Sequence, residues 1–169
     1  MKRNLLFLIP ALALFIAGCE AEKPVDWYIK DKNELITKLS ECQSDDDSTN
    51  CINARKAAEL VKSAVAEGFK IANSCRYQVD LQLSLMDKVI DVDAACPSGS
   101  STSPKYNVNQ ATGDIKVDFT GDAEGIWLTF SKKRAVIGGA IATNQWSCFT
   151  TLAYEQFMPE ICVSKLVYR

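Results

Sequence analysis

The sequence predicts an α+β domain in which one long α-helix packs on an antiparallel β-sheet, with a short helical segment before the long helix. Apolar residues recur every three or four positions through residues 52–86, which is the spacing of one buried helix face. After residue 112 the apolar and charged side chains alternate, as they do in half-buried strands. A helix followed by a run of strands is typical of α+β domains with an antiparallel sheet.

The composition favours a folded protein that acts by binding. The 169 residues include 19 Lys and Arg, 21 Asp and Glu and no His, so the formal net charge is −2. This balance gives no basic surface for nucleic acids. The lack of His excludes Ser-His-Asp and Cys-His catalysis and His-ligated zinc. We therefore predict no enzymatic activity, no catalytic or metal-binding residues, no small-molecule substrate and no cofactor other than a covalent lipid.

Residues 1–18 are predicted to be a lipoprotein signal peptide. A basic start is followed by an apolar run that ends at Ala17, shorter than the about 20 residues of a transmembrane helix. The ending Ile-Ala-Gly-Cys at residues 16–19 resembles a bacterial lipobox. Cys19 is therefore the predicted lipidation site. The lipid would anchor the chain to the inner or the outer membrane of a bacterial cell envelope.

Six cysteines follow Cys19, and an even number in an oxidising compartment indicates a disulfide framework. Six cysteines allow 15 pairings. The C-x-x-C spacing of metal knuckles and redox motifs does not occur in the sequence. We adopt the hypothesis that neighbours along the chain pair, which gives Cys42–Cys51, Cys75–Cys96 and Cys148–Cys162.

Residues 19–51 are predicted to hold a short tether and one helix over residues 26–41. The expected N-cap of that helix is Asn33. Its apolar face consists of Leu35, Ile36 and Leu39. The long helix follows after a polar loop, and Asn50 and Asn53 stand at its start, where Asn is a good cap. Small residues in the first half of the long helix predict a close approach to another element.

Alternation predicts three strands in the second half of the chain, after a loop rich in Ser, Thr and Pro. A fourth strand is expected from one of two further segments, and the sequence leaves that choice open. The three strands are residues 115–119, 125–130 and 140–147, and the two alternatives are 105–109 and 163–168.

Residues 52–169 resemble the globular domain of type IV pilins. The pieces that carry the likeness are residues 66–72, 113–119, 126–130, 146–148 and 154–162. In pilins a W-x-C strand end and a P-x-x-C close a disulfide-bounded loop, and a long helix lies on an antiparallel sheet. The chain has a lipobox where pilins have a long apolar helix, so the resemblance does not imply filament assembly.

Residues 19–59 are similar to the entry-exclusion lipoproteins of conjugative plasmids, the EexN-type family. The likeness lies in the lipobox cysteine, in Asp-Trp-Tyr at residues 26–28, in residues 34–42 and in residues 50–57. The family implies a block on redundant DNA transfer into a cell that already holds the element. The predicted organisation is therefore a signal peptide (1–18), an exclusion-lipoprotein-like segment (19–51) and a pilin-like domain (52–169).

These resemblances imply an envelope lipoprotein that excludes an incoming conjugative element, pilus or phage by binding. Its partner would be a pilin or a protein of the conjugation machinery. The alternative is a pilus-associated accessory or minor-pilin-like structural lipoprotein. An alternative is also open for the aromatic residues next to the anchor, which would either lie at the membrane interface or pack the first helix. The candidate partner-binding residues are Trp27, Tyr28, Tyr154 and Phe157.

Overall fold

The computed structural model describes residues 21–96, 103–137 and 140–164. It confirms the predicted α+β class, with one long helix beside a sheet. The helices are α1 (Val25–Lys30), α2 (Lys32–Glu41), α3 (Thr49–Met86) and α4 (Val92–Ala95). The strands are β1 (Lys105–Val108), β2 (Ile115–Asp118), β3 (Trp127–Ile137), β4 (Ala140–Thr150) and β5 (Cys162–Ser164), with short 3₁₀ helices at Gly121–Ala123 and Leu152–Phe157.

The segment predicted as one helix over residues 26–41 is two helices that meet at Asp31. Its φ of −108° and ψ of 88° are not helical, which ends α1. The Asp31 carboxylate accepts the Glu34 amide at 3.1 Å and so caps α2. The prediction that Asn33 is the N-cap was therefore wrong, because Asn33 lies inside the first turn of α2.

Helix α3 has 38 residues and is about 57 Å long at 1.5 Å per residue. The Ser48 hydroxyl accepts the Cys51 amide at 3.4 Å, so Ser48 caps the helix where we expected Asn50 or Asn53. The helix ends at Asp87, which adopts the left-handed conformation with a φ of 57°. Its buried face carries mostly small residues and valines, including Ala54, Ala57, Ala58, Val61, Val65, Gly68, Ala72 and Val79.

The five strands form one sheet in the order β1-β2-β3-β4-β5. Neighbours from β1 to β4 pair antiparallel, as predicted, and both alternative segments for the fourth strand contribute a strand. Strand β5 pairs parallel to β4, with Cys162 opposite Cys148, an arrangement that the sequence analysis did not anticipate. It arises because the chain passes through the 3₁₀ helix at Leu152–Phe157 and returns to the edge of β4 in the same direction.

The core lies between α3 and the sheet, and it depends on two glycines. A Cβ on Gly68 would lie 2.7 Å from the Phe119 ring, and one on Gly113 would lie 2.2 Å from Leu83 Cδ1. Each glycine therefore lets helix and sheet side chains approach closely. Beside Gly68, the rings of Phe69 and Phe130 lie 5.7 Å apart.

The N-terminal helices belong to the same core as the rest of the domain. Tyr28 of α1 and Leu35 of α2 are fully buried in the core cluster that includes the sheet residues Ile115 and Leu128. The Cys42–Cys51 disulfide joins the end of α2 to the first turn of α3. Within the described residues, the segment up to Cys51 and the segment that follows it are therefore packed as one body.

One charged side chain is buried where α2 meets the 3₁₀ helix at Gly121–Ala123. Lys32 is 7% exposed, and its Nζ donates to the Ile29 carbonyl. Burial lowers the pKa of Lys32, because it disfavours the charged form. The negative charges of Asp122 and Glu124 raise this pKa, but by less.

The close approach at Gly113 can be tested against a matched glycine. Gly113 and Gly121 both have positive φ, but only Gly113 faces a buried neighbour; nothing lies within 4 Å of a Cβ on Gly121. Gly121→Ala should cost about 1 kcal/mol for the left-handed backbone. Gly113→Ala should cost about 1–3 kcal/mol more, because Leu83 must move within a packed core. Urea unfolding with the disulfides intact measures both, and equal losses would contradict this packing.

The lowered pKa of Lys32 predicts a specific pH dependence. A base whose pKa is lower in the folded state binds fewer protons there than in the unfolded state, so stability rises with pH. The charged form of Lys32 should therefore oppose folding at neutral pH, and the penalty should fade as the pH rises towards 10.5. We expect the wild-type protein to gain stability relative to Lys32→Met between pH 8 and pH 10.5. A constant difference across this range would refute the prediction.

Candidate functional site

The predicted lipidation site and signal peptide lie outside the described residues, but the chain just after them is held firmly. The Lys23 amide donates to Asn50 Oδ1 at 2.8 Å, and Asn50 Nδ2 donates to the Ala21 carbonyl at 3.1 Å. Asn53 Nδ2 donates to the Lys23 carbonyl at 2.9 Å. The tether, Ala21–Lys23, is therefore fastened to the first turns of α3 within two residues of Cys19.

Sequence analysis missed this role of the two asparagines, because it assigned them to capping. Asn50 and Asn53 are three residues apart and so lie on one face of the helix. That spacing of two amides was the available signal for a shared partner. Asn50 is 7% exposed, and its amide group satisfies the backbone of an otherwise irregular segment.

Further contacts hold the same region. Lys23 Nζ lies 4.2 Å from the centre of the Trp27 ring and 3.3 Å from the Glu34 carboxylate. Trp27 is half-buried against the core and keeps an accessible part. Tyr28 is fully buried, and its ring meets Trp27 edge-on at 5.2 Å. Tyr28 therefore packs the first helix, which is one of the two alternatives that the sequence left open, and its contact with a partner remains a prediction.

The second pair of candidate partner-binding residues lies in the 3₁₀ helix at Leu152–Phe157. Phe157 is 3% exposed and is part of the core, and its contact with a partner remains a prediction. Its large apolar ring belongs to the core cluster. Tyr154 is half-buried at the edge of the core and remains accessible.

The structure forms the three disulfides between neighbouring cysteines along the chain. Cys42–Cys51 joins α2 to α3, and Cys75–Cys96 joins the middle of α3 to the end of α4. Cys148–Cys162 joins β4 to β5 and encloses the loop of residues 149–161. Each bond closes a loop and stabilises the fold chiefly by restricting the unfolded chain.

A cavity of about 310 Å³ opens between α3 and the disulfide-closed loop, at the lower end of the about 300–1,000 Å³ usual for ligand sites. We call it the docking cavity. One wall is the α3 face, and the other is the sheet near Cys148 together with the loop residue Ile161. The lining residues are Phe69, Asn73, Arg76, Phe130, Trp146, Ser147, Cys148 and Ile161.

The docking cavity combines apolar walls with a cationic side chain. The guanidinium carbon of Arg76 lies 5.5 Å from the centre of the Trp146 ring, and Arg76 Nε donates to Asn73 Oδ1 at 2.8 Å. Trp146 Nε1 is buried and has no acceptor among the described residues. In the sequence, Trp146 stands out only through the W-x-C piece of the pilin resemblance, and the three-residue spacing of Arg76 from Asn73 is a weak local signal.

Other groups with unusual chemistry lie apart from one another. The pKa of Tyr106 on β1 is raised by burial, and that of Asp46 is lowered, chiefly by the Ser48 amide that donates to it. Asp46 lies near the sulfurs of Cys42 and Cys51. Those two sulfurs are bonded to each other, so they offer no thiolate ligands to a metal.

Loss of the Asn50 contacts should free the tether. In Asn50→Ala the amide hydrogen of Lys23 should exchange at least tenfold faster, and stability should fall by about 1–2 kcal/mol, because two hydrogen bonds disappear. In Asn50→Asp the carboxylate still accepts the Lys23 amide, so its slow exchange should persist. Asn107→Ala, an exposed change on β1, is the control. Equal exchange of the Lys23 amide in wild type and Asn50→Ala would contradict the fastening.

Among the described residues, every helix is too short or too polar to cross a membrane. Comparison with known proteins returned no matching family model, no matching curated relative and no matching solved structure.

Proposed function

We propose that this chain is a lipid-anchored exclusion factor of the bacterial cell envelope. It would act by binding a pilin or another protein of an incoming conjugative element, pilus or phage, without catalysis. The observation that carries the proposal is the fastening of Ala21–Lys23 to Asn50 and Asn53 on α3. A lipid on Cys19 would then hold the folded body directly at the bilayer.

The geometry gives this anchoring a definite consequence. Cys19 precedes Ala21 by two residues, which span at most about 7 Å when extended. A freely jointed linker would let the body tumble over a wide range of positions. A fastened tether restricts the body to the immediate vicinity of the lipid and reduces the orientational entropy that would be lost when a partner binds.

The docking cavity is the binding surface that we assign to this function. Arg76 lies about 39 Å along α3 from Asn50, at 1.5 Å per residue. The cavity is therefore remote from the tether and stays clear of the anchored end. A protein of the incoming machinery that occupied it would be held at the envelope and kept from its own partners.

A second candidate is supported by the arrangement of α3, the sheet and the Cys148–Cys162 loop. A long helix on an antiparallel sheet with a disulfide-closed loop is what the resemblance to pilins implies. On this alternative the chain would be a pilus-associated accessory or minor-pilin-like structural lipoprotein, and the same loop would contact pilus subunits.

Exclusion predicts a loss of DNA transfer into cells that carry the protein. Recipients expressing the wild-type chain should receive a related conjugative element at least tenfold less often than recipients without it. Cys19→Ala should restore transfer, since the body is no longer held at the membrane. Cys19→Ala also impairs cleavage of the signal peptide, so a second variant is needed. This variant has a cleavable signal peptide and no lipobox, and it should restore DNA transfer when immunoblots show the same amount of protein as for the wild type.

Unchanged transfer in recipients with abundant, folded protein, across related donors and phages, would argue against exclusion. A defect in pilus assembly on deletion, with unchanged transfer, would support the accessory role.

A further inference from the structure

We infer that the docking cavity is a recognition site for one apolar side chain that stands next to a carboxylate on the partner protein. The inference rests on the proposed function only in assigning the partner to the incoming machinery. The chemistry of the ligand follows from the walls, the hydrogen-bond donors and the charge of the cavity.

The walls provide an apolar seat. Phe69 from α3 and Phe130 from β3 form a tilted aromatic pair at the base, with ring centres 5.7 Å apart. Ile161 lies at the mouth of the cavity and is 72% exposed, although it directly precedes the buried Cys162. Contact of a partner's apolar group with Phe69 and Ile161 would remove their accessible surface from water, which favours binding.

The donors define where the ligand needs oxygen atoms. Trp146 Nε1 is a buried donor without an acceptor in the part of the chain that the structure describes, so the ring offers its face rather than this donor to a ligand. Arg76 uses Nε for Asn73, and its two terminal nitrogens make no hydrogen bond to any described residue. A carboxylate presents several lone pairs and can accept two parallel hydrogen bonds from the terminal nitrogens of a guanidinium.

The charges around the cavity favour an anion. Lys132 Nζ lies 5.9 Å from the centre of the Trp146 ring and contacts the Asp80 carboxylate at 2.5 Å. That ion pair compensates the charge of Asp80. Arg76 is left as the charged group lining the cavity, so a carboxylate is attracted and a cation is repelled.

The size of the cavity limits the occupant to a single anchoring residue. About 310 Å³ accommodates one large side chain with its adjoining backbone and excludes a whole helix. Single aromatic or aliphatic anchors in well-formed pockets dominate many protein interfaces. The partner is therefore expected to insert one aromatic or large aliphatic residue with an acidic neighbour or its own terminal carboxylate.

The test uses the indole N–H signals of the complete mature protein in ¹H–¹⁵N spectra. The Trp146 signal is identified with Trp146→Phe. Two probes differ only in the group of interest: N-acetyl-L-phenylalanine carries a carboxylate, and its amide does not. We expect the first probe to move the Trp146 indole signal in a saturable way at millimolar concentration, and the amide to bind at least tenfold more weakly. The Trp27 and Trp127 signals should not move.

Two variants separate the charge from the apolar walls. Arg76→Gln should weaken binding of the carboxylate probe about tenfold and leave the amide probe unchanged. Ile161→Ser, at an exposed position, should weaken both probes equally. Circular dichroism and intact disulfides confirm that each variant is folded.

Several results would overturn the inference. Failure of the carboxylate probe to move the Trp146 signal, or equal affinity of both probes in wild type, excludes the carboxylate. A Trp146 shift with phosphatidylglycerol vesicles but not with the probe would assign the cavity to lipid instead.

The failure of the inference and the failure of the proposed function can be told apart. If Arg76→Gln loses probe binding but still lowers DNA transfer into recipients, the cavity does not take part in exclusion. Probe binding in a protein without any effect on DNA transfer would refute exclusion alone.

Discussion

The contact between α3 and the sheet is the constraint on which the rest of the structure depends. The buried face of this 38-residue helix carries mostly small residues and valines, so the helix lies close to the sheet. The Phe119 ring occupies the space that a side chain at position 68 would need. In the same way, the Leu83 side chain occupies the space that a side chain at position 113, between β1 and β2, would need. These two approaches fix the position of the helix over the sheet because the core has no room for a different register.

The three disulfides extend this packing to parts of the chain that the core does not reach. The loop between α2 and α3 has few apolar residues, and Cys42–Cys51 closes it. Cys75–Cys96 ties α4 back to α3, and Cys148–Cys162 holds β5 against β4. Because these bonds join elements already in contact, they restrict the unfolded chain while they preserve the local geometry. The docking cavity owes its outer wall to the third bond.

The two ends of α3 connect the fold to the proposed function. At its start, Asn50 and Asn53 bind the backbone of the tether, so the position of the body follows the position of the anchor. In its second half, Phe69 and Arg76 face the docking cavity. One rigid helix therefore links the anchored end to the binding surface, which places that surface at a set distance from the lipid.

The sequence by itself determined the fold class, the extent of the long helix and the place of β2, whereas β3 runs seven residues past its predicted end. Periodic burial is a local property, and residues 52–86 show it without interruption, so α3 in the structure covers the whole predicted range and begins three residues earlier. The same holds for the alternation around residues 115–119. The break between α1 and α2 at Asp31 was missed because the apolar spacing continues across it. The side-chain cap that Asp31 provides for α2 was not recognised in the sequence.

Only the tertiary structure decided which side chains meet across the fold. Tyr28 and Phe157 resemble exposed aromatics in the sequence, but long-range packing buries them. Asn50 binds a backbone 27 residues away, and Trp146 meets Arg76 from another element. Such contacts depend on the relative placement of helix and sheet, which no local pattern of residues encodes, whereas helix and strand periodicity arises from the backbone geometry of each segment alone.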